Sequence, residues 1–121
     1  MAETTGSGRW AEDRAEEYLR ARGYKIVQRN FRAAGGEIDI VAVDGKTLCF
    51  VEVKFRRGLQ QGHPSEAVTP VKQRKITKTA LFYLQQNPQS PPAVRFDVLA
   101  IRDSADGLVF ELIANAFDAV T

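Results

Sequence analysis

The chain has 121 residues, of which 44% are hydrophobic and 26% are charged, and its formal net charge is +2. This length and composition predict a single globular domain, residues 1–121, that buries its own core, with residues 1–7 flexible. The single cysteine excludes an internal disulfide and a cysteine-based zinc site, and no apolar run approaches the roughly 18 residues of a membrane span. We therefore expect a cytoplasmic protein with no membrane partner.

The first predicted element is a helix from near Gly8 to Gly23, a glycine that suits a C-terminal cap. Glu12 stands three residues before Ala15 and seven before Leu19, two members of the apolar stripe, so it borders the buried face. Glu12 therefore has two interpretations. It either lines a cleft beside that face or is an ordinary first-turn glutamate favoured by the helix dipole.

Three strands are predicted next along the chain. The first covers residues 24–31, and the other two are the arms of a hairpin in residues 35–57 with Asp44-Gly45 as its turn. A polar loop is predicted from Gly58 to Pro64.

A second helix and two strands complete the predicted order. Thr69 is the predicted N-cap of this helix, with Pro70 at its first position, and the helix runs to about Gln86. Residues 94–101 and 107–114 form the last strands. The order α-β-β-β-α-β-β predicts an α/β or α+β fold with a mixed central sheet flanked by helices. The second helix then crosses over between parallel strands.

The hairpin carries charged residues where core residues would pack better. An Asp44-Gly45 turn pairs Asp39 with Phe50 and Glu37 with Glu52. Strand alternation then predicts two faces. One face holds Glu37, Asp39, Val41, Val43, Lys46, Leu48, Phe50, Glu52 and Lys54, and the other holds Ile38, Ile40, Val51, Val53 and Phe55.

The charges at one end of the first face have two interpretations. The apolar residues of that face need a helix packed over them, so charges at its end would lie in a cleft. Glu37 opposite Glu52 is a like-charge pair that costs stability unless a cation lies between them, and a divalent ion would supply that charge. The alternative is a solvated face on which Lys54 neutralises Glu52.

Positive charge is concentrated between residues 54 and 78. This stretch contains one acid, Glu66, and seven basic residues: Lys54, Arg56, Arg57, Lys72, Arg74, Lys75 and Lys78. Cations in the N-terminal half of a helix cost a few tenths to about 1 kcal/mol each, so local stability does not explain those on the second helix. Phosphate binding would explain these basic residues, and a solvated charged face is the alternative. Gln73, on the buried stripe of that helix, either projects toward the site or caps backbone groups.

The chain resembles a known family in four segments, which occur in the order "GRWAEDRAEEYLRARGY", "GGEIDIVAVDGKTLCFVEVKFRR", "AVTPVKQRKI" and "RFDVLAI". This family is the YraN family of largely uncharacterised bacterial proteins. It is similar to the PD-(D/E)XK nuclease superfamily, with a spacing like that of archaeal Holliday-junction resolvases, which implies a restriction-endonuclease-like core. Asp39 matches the aspartate of the motif and Glu52-Val53-Lys54 matches its E-x-K, whereas Ile38 stands where the proline would be.

The resemblance implies a site for metal-dependent phosphodiester hydrolysis, with Glu12, Asp39, Glu52 and Lys54 as catalytic residues. Mg²⁺ or Mn²⁺ would be held by Asp39, Glu52, the backbone carbonyl of Val53 and Glu12, the last directly or through water. Glu37 would lie in the outer shell, and Lys54 would orient or deprotonate the attacking water. The residues expected to bind DNA phosphates are Arg56, Arg57, Lys72, Gln73, Arg74, Lys75 and Lys78.

Two functions of different classes fit these residues. The first is a metal-dependent endonuclease-like enzyme that hydrolyses phosphodiester bonds in structured or branched DNA. The alternative is a non-catalytic nucleic-acid-binding module that retains the nuclease fold, as a homodimer or as an accessory in a DNA-processing complex. Acids beside phosphate favour catalysis, because a binding-only protein has no need of them. A phosphatase for small phosphoesters, the third candidate, requires a smaller basic surface than this one.

Overall fold

The computed structural model of the protein describes residues 2–57 and 68–119. Within these ranges the helices and strands occur in the predicted order: α1 (Ala2–Ala21), β1 (Lys25–Ala33), β2 (Gly36–Asp44), β3 (Thr47–Arg57), α2 (Pro70–Gln86), β4 (Ala93–Ser104) and β5 (Gly107–Phe117). The predicted polar loop from Gly58 to Pro64 lies outside the described residues. Neither helix of the described part is long and apolar enough to cross a membrane.

These strands form a mixed sheet in the order β1-β2-β3-β4-β5. β3 and β4 are parallel, and the other neighbouring pairs are antiparallel. α2 therefore makes the predicted crossover between parallel strands. α1 packs on one face of the sheet, where Leu19 and Ile40 belong to one core cluster, and α2 packs on the other, where Ile76 and Phe50 belong to a second. The predicted mixed α/β fold with flanking helices is thus confirmed.

The helix ends follow the local sequence with one exception. Thr69 caps α2 as predicted, because its side chain accepts a hydrogen bond of 3.2 Å from the backbone N–H of Lys72. Gly23, just beyond α1, has a φ of 93°, which suits a glycine cap. The predicted start of α1 near Gly8 is wrong, since the helix begins at Ala2. No proline stops a helix in this stretch, and a glycine costs it only about 1 kcal/mol.

The turn of the hairpin is displaced by one residue from its predicted position. Asp44 pairs with Thr47, so the turn residues are Gly45 and Lys46 rather than Asp44 and Gly45. Gly45 has a φ of 64°, which the first central position of a type II′ turn requires. An Asp-Gly pair also suits a type I′ turn, so the sequence fits both placements.

The observed register preserves most of the predicted faces because it shifts the pairing by an even number of residues. Phe50 pairs with Val41 instead of Asp39. The ladder between β2 and β3 ends at the pair of Ile40 and Val51. The predicted pairing of Glu37 with Glu52 is therefore wrong, and the next residue pair in line is Asp39 with Glu52.

Strand alternation breaks at Asp39. Ile38 packs on the α2 side of the sheet together with Phe31, whereas Ile40 packs on the α1 side, so the predicted face of Ile38 is wrong. The neighbouring strand changes face at the same level, at Asn30, whose φ is 56°. Asparagine tolerates this left-handed conformation better than most residues. The kink places the Asp39 side chain at the point where the β2–β3 ladder stops.

Gly36 lets α2 approach the start of β2 closely. A Cβ at this position would lie 2.5 Å from Oγ1 of Thr79 and 3.3 Å from the backbone oxygen of Lys75. Thr79 is fully buried, and its hydroxyl lies 3.0 Å from the carbonyl oxygen of Ala33 and 2.9 Å from that of Lys75. Gly36→Ala is therefore expected to lower the free energy of unfolding by about 1–3 kcal/mol, as measured by urea denaturation.

Gly8→Ala is the matched control for this prediction. Gly8 lies within α1, and a Cβ added there would meet no neighbouring element within 4 Å. Because Gly8 lies within α1, its replacement by alanine should stabilise the protein by up to about 1 kcal/mol. An unfolding free energy for Gly36→Ala at or above that of wild type would contradict the close packing.

Candidate metal-dependent active site

A cleft of about 350 Å³ lies where β2 and β3 meet both helices. The residues that line it are Gly8, Ala11, Glu12, Asp39, Glu52, Val53, Lys54, Phe55 and Lys72. The structure thus brings together the four residues predicted as catalytic, although they come from α1, β2 and β3. Val53, predicted to offer its carbonyl to a metal ion, lies among them. Their roles stay predictions.

Asp39 links β2 to β3 within this cleft. Its Oδ2 accepts a hydrogen bond of 2.8 Å from the backbone N–H of Val53, just beyond the last pair of the ladder. Burial and the negative charge of Glu52 raise the pKa of Asp39 to about 8, although the Val53 hydrogen bond lowers it. The charges of Glu12 and Glu37 raise it further. The surroundings of Asp39 therefore disfavour the negatively charged form of its carboxyl group.

Three carboxylates lie within reach of one ion. One oxygen atom from each of Glu12, Glu37 and Asp39 lies within 4.8 Å of the other two. Mg²⁺ and Mn²⁺ prefer hard oxygen ligands, and a cation among these acids would relieve the repulsion that raises the pKa of Asp39. This donor set fits a divalent cation. Glu37, predicted for the outer shell, belongs to this group of three, whereas Glu52, predicted as a ligand, does not.

Arg29 of β1 is a counter-ion of Glu12 that the sequence did not reveal. Its guanidinium lies 3.3 Å from Glu12, 2.8 Å from Asp13 and 3.2 Å from Glu16. Burial alone would lower the pKa of Arg29, but the hydrogen bonds to these three acids raise it above its usual value. Arg29 thus ties β1 to the same turns of α1 that carry Glu12, and it fixes where that glutamate lies.

Glu52 lies between two lysines from different elements. The Nζ of Lys72 in α2 is 2.6 Å from Oε2 of Glu52, and the Nζ of Lys54 in β3 is 3.7 Å from the same atom. Burial, together with the nearby Lys72, lowers the pKa of Lys54. Burial alone would also lower the pKa of Lys72, but its hydrogen bond to Glu52 raises it. Lys72, predicted as one of several phosphate-binding residues on α2, is therefore part of the cleft itself.

The other predicted nucleic-acid-binding residues occupy different positions. Arg74, Lys75 and Lys78 are exposed on α2 and lie within one turn of each other. Gln73 donates a hydrogen bond of 3.0 Å from Nε2 to the carbonyl oxygen of Val68, which matches the interpretation of Gln73 as a backbone cap. Arg56 is partly buried, and the side chain of Arg57 lies outside the described part. Arg74, Lys75 and Lys78 thus form an exposed basic face on α2, and the phosphate contacts of Arg56 and Arg57 stay predictions.

The fold and the cleft define a mixed α/β protein with a site of carboxylates and lysines beside the end of a β-ladder. The sequence matches the model of the Uncharacterised protein family UPF0102 over residues 11–101. The chain belongs to this family, which is the YraN family expected from the sequence.

Relatives from several bacteria are similar along most of the chain. A UPF0102 protein of Symbiobacterium thermophilum is 49% identical over 113 residues, which covers 93% of this chain and 96% of the relative. A UPF0102 protein of Chlorobium phaeobacteroides is 47% identical over 116 residues, covering 91% and 92%. A UPF0102 protein of Geobacter sulfurreducens is 53% identical over 108 residues, covering 88% and 84%. The similarity therefore extends along most of the chain.

Proposed function

We propose that this protein is a metal-dependent endonuclease-like enzyme that hydrolyses phosphodiester bonds in structured or branched DNA. The observation that carries the proposal is the convergence of Glu12, Asp39, Glu52 and Lys54 in one cleft. A binding module needs cations for phosphate, but it does not need a group of acids around a buried Asp39, whose pKa is raised to about 8 by burial and by the charge of Glu52. Perturbed pKa values of this kind cluster at functional sites, and a bound metal ion would supply positive charge to these acids.

The acids of the cleft would hold the ion. Asp39 and Glu52, with the carbonyl of Val53, would be ligands, and Glu12 would bind directly or through water. Glu37 extends this donor set, since it lies within 4.8 Å of Glu12 and Asp39. When bound, Mg²⁺ or Mn²⁺ would supply positive charge for the phosphate and lower the pKa of a water molecule.

Lys54 is suited to act on the attacking water. It lies on β3 two residues beyond Glu52, with its Nζ 3.7 Å from that carboxylate. Because burial and Lys72 lower its pKa, Lys54 releases its proton more readily than an exposed lysine, so a larger fraction of it is neutral and available as a base. It would orient or deprotonate the water and then stabilise the negative charge that develops on the phosphate.

The experiment that tests this function is a cleavage assay on linear, flapped, four-way-junction and RNA substrates in Mg²⁺ and in Mn²⁺. Cleavage of a flapped or four-way-junction substrate by wild type, and not by Asp39→Ala, is the expected result. Equal cleavage by both proteins would assign the activity to a contaminant. Binding of these substrates without cleavage in either metal would favour the alternative, a non-catalytic nucleic-acid-binding module.

The exposed basic face of α2 should bind DNA through backbone phosphates. A triple variant in which Arg74, Lys75 and Lys78 become glutamine is expected to bind every DNA sequence more weakly. It should also flatten the dependence of log affinity on log salt by roughly one unit of slope per lost contact. The measurement is fluorescence anisotropy at several salt concentrations in Ca²⁺.

The control for this prediction is the triple glutamine variant of Arg22, Lys25 and Lys46. It removes the same side-chain types from exposed positions that do not line the cleft. A loss of affinity confined to particular DNA sequences, or a salt slope equal to that of the control, would contradict phosphate binding by α2.

A further inference from the structure

Lys72 makes the shortest contact with a ligand candidate of the cleft. Its Nζ lies 2.6 Å from Oε2 of Glu52, closer than the 3.7 Å of Lys54. Glu52 is buried, and of the two lysines beside that oxygen Lys72 is the nearer. A metal ion that uses the same oxygen must share it with Lys72 or displace the lysine, because two cations at this separation repel each other.

We propose that Lys72 is the built-in cation of the metal-free site. It neutralises Glu52 until a divalent ion binds, and it then moves to a non-bridging oxygen of the substrate phosphate. The first step concerns metal binding alone, whereas the second step rests on the proposed function. Lys72 is thereby assigned to the reacting phosphate and not to the general phosphate contacts of the exposed basic face.

The position of Lys72 in α2 allows such a movement. Its backbone N–H is held by the side-chain oxygen of the N-cap Thr69, so the helix start stays fixed. The charge sits on a flexible four-carbon stem, which can redirect the ammonium group without moving the helix. The cleft is lined by both Lys72 and Lys54, so a phosphate beside Glu52 would have a cation from α2 and another from β3.

A purely structural ion pair is the competing explanation for the contact. In that case Lys72 would only fasten α2 to β3, and its removal would leave a buried carboxylate without its partner. Metal affinity would then fall or stay unchanged in a variant without the lysine. The proposal predicts the opposite sign, because removing a competing cation frees the ligand oxygen.

The experiment is a calorimetric titration of metal-free protein with Mg²⁺ and with Mn²⁺. Lys72→Met is expected to bind the ion roughly five-fold or more tightly than wild type, the size of a moderate coupling between two binding events. Lys72→Arg keeps the charge and should resemble wild type. Lys75→Met is the matched control. It removes an exposed lysine from the same helix and so measures the long-range effect of losing a positive charge on α2. Affinity of Lys72→Met that is no higher than that of Lys75→Met would overturn the competition.

A second measurement on wild-type protein does not depend on the folding of a variant. The ¹³Cε signal of Lys72 is expected to shift on addition of Mg²⁺ or Ca²⁺, while that of Lys75 stays in place. Addition of a four-way DNA junction in Ca²⁺ should then shift the Lys72 signal again. A Lys72 signal that ignores saturating divalent ion would overturn the first step, and one that responds to the ion but ignores bound DNA would overturn the second.

Cleavage separates this inference from the proposed function. If wild type does not cleave DNA but Lys72→Met binds metal more tightly, the nuclease proposal fails and the competition at Glu52 stands. If wild type cleaves and Lys72→Met cleaves at the same rate at saturating metal, the nuclease proposal stands and the transfer of Lys72 to the phosphate fails.

Discussion

Replacement of Lys54 by alanine is expected to lower the rate of DNA cleavage by roughly 10²- to 10⁴-fold, the usual cost of losing a positioned acid-base or electrostatic group. The Nζ of Lys54 lies 3.7 Å from Oε2 of Glu52, which is too far for a hydrogen bond to that carboxylate. It is close enough to reach a substrate phosphate bound beside Glu52. Its charge should therefore matter more to the reaction than to affinity. The measurement is a single-turnover rate at saturating metal.

Metal and DNA affinity are the controls for the Lys54 prediction. Both should stay within a few-fold of wild type, because Lys54 lies 3.7 Å from Glu52, and in the metal-free protein Lys72 makes the closer contact, at 2.6 Å. Lys46→Ala, which removes an exposed lysine in the hairpin turn, provides a matched loss of charge and should keep the wild-type rate. Cleavage by Lys54→Ala at nearly the wild-type rate would remove Lys54 from the catalytic set and favour the binding module.

Much of the fold follows from signals that are local in the sequence. The cap at Thr69 and Pro70 specifies the start of α2, and its hydrogen bond is present. Alternation along the hairpin predicts which residues face α2, and Val41, Leu48 and Phe50 do so. These signals are strong because capping and strand periodicity depend on neighbours within a few residues. The turn position does not follow from the local sequence, since a glycine fits both kinds of two-residue turn.

The site was predictable in part, because its acids belong to two elements with clear patterns. Asp39 and Glu52 share a strand face under any register that differs by an even number of residues, so the error in the turn did not separate them. The kink at Asn30 and Asp39 was not predictable from periodicity, which assumes regular strands. That kink moves Ile38 to the other core and lets Asp39 accept the N–H of Val53.

Contacts between distant elements were the part that the sequence concealed. Lys72 and Arg29 were visible as charged residues, but their partners depend on how α2 and β1 pack. The same is true of Asp97, a fully buried residue that receives hydrogen bonds of 2.9 Å and 3.0 Å from Arg95. The backbone N–H of Asn115 donates a third, at 2.9 Å. A buried acid within an apolar strand needs a partner, but the strand pattern does not show which residue supplies it.

The metal-free protein is expected to become less stable as pH rises from about 4 to about 8, and Asp39→Asn should remove much of this loss. Burial and the charge of Glu52 raise the pKa of Asp39 from its ordinary 3.8 to about 8. Between these values the folded protein keeps a proton that the unfolded chain has released, so raising the pH favours unfolding. At pH 8 in chelator, the free energy of unfolding of Asp39→Asn should exceed that of wild type by at least about 1.4 kcal/mol, the equivalent of one pKa unit.

Urea denaturation at pH 4 and pH 8 checks this prediction. The two proteins should differ little at pH 4, where the folded forms of both carry a neutral side chain at position 39. Asp106→Asn, at an exposed position between β4 and β5, should match wild type at both pH values. Mg²⁺ at pH 8 should stabilise wild type and have little effect on Asp39→Asn, because a ligand that binds only the folded state stabilises it by mass action. If Asp39→Asn is no more stable than wild type at pH 8 without metal, burial and the neighbouring acids do not disfavour the charged form of Asp39, and the electrostatic argument for a cation in this cleft fails.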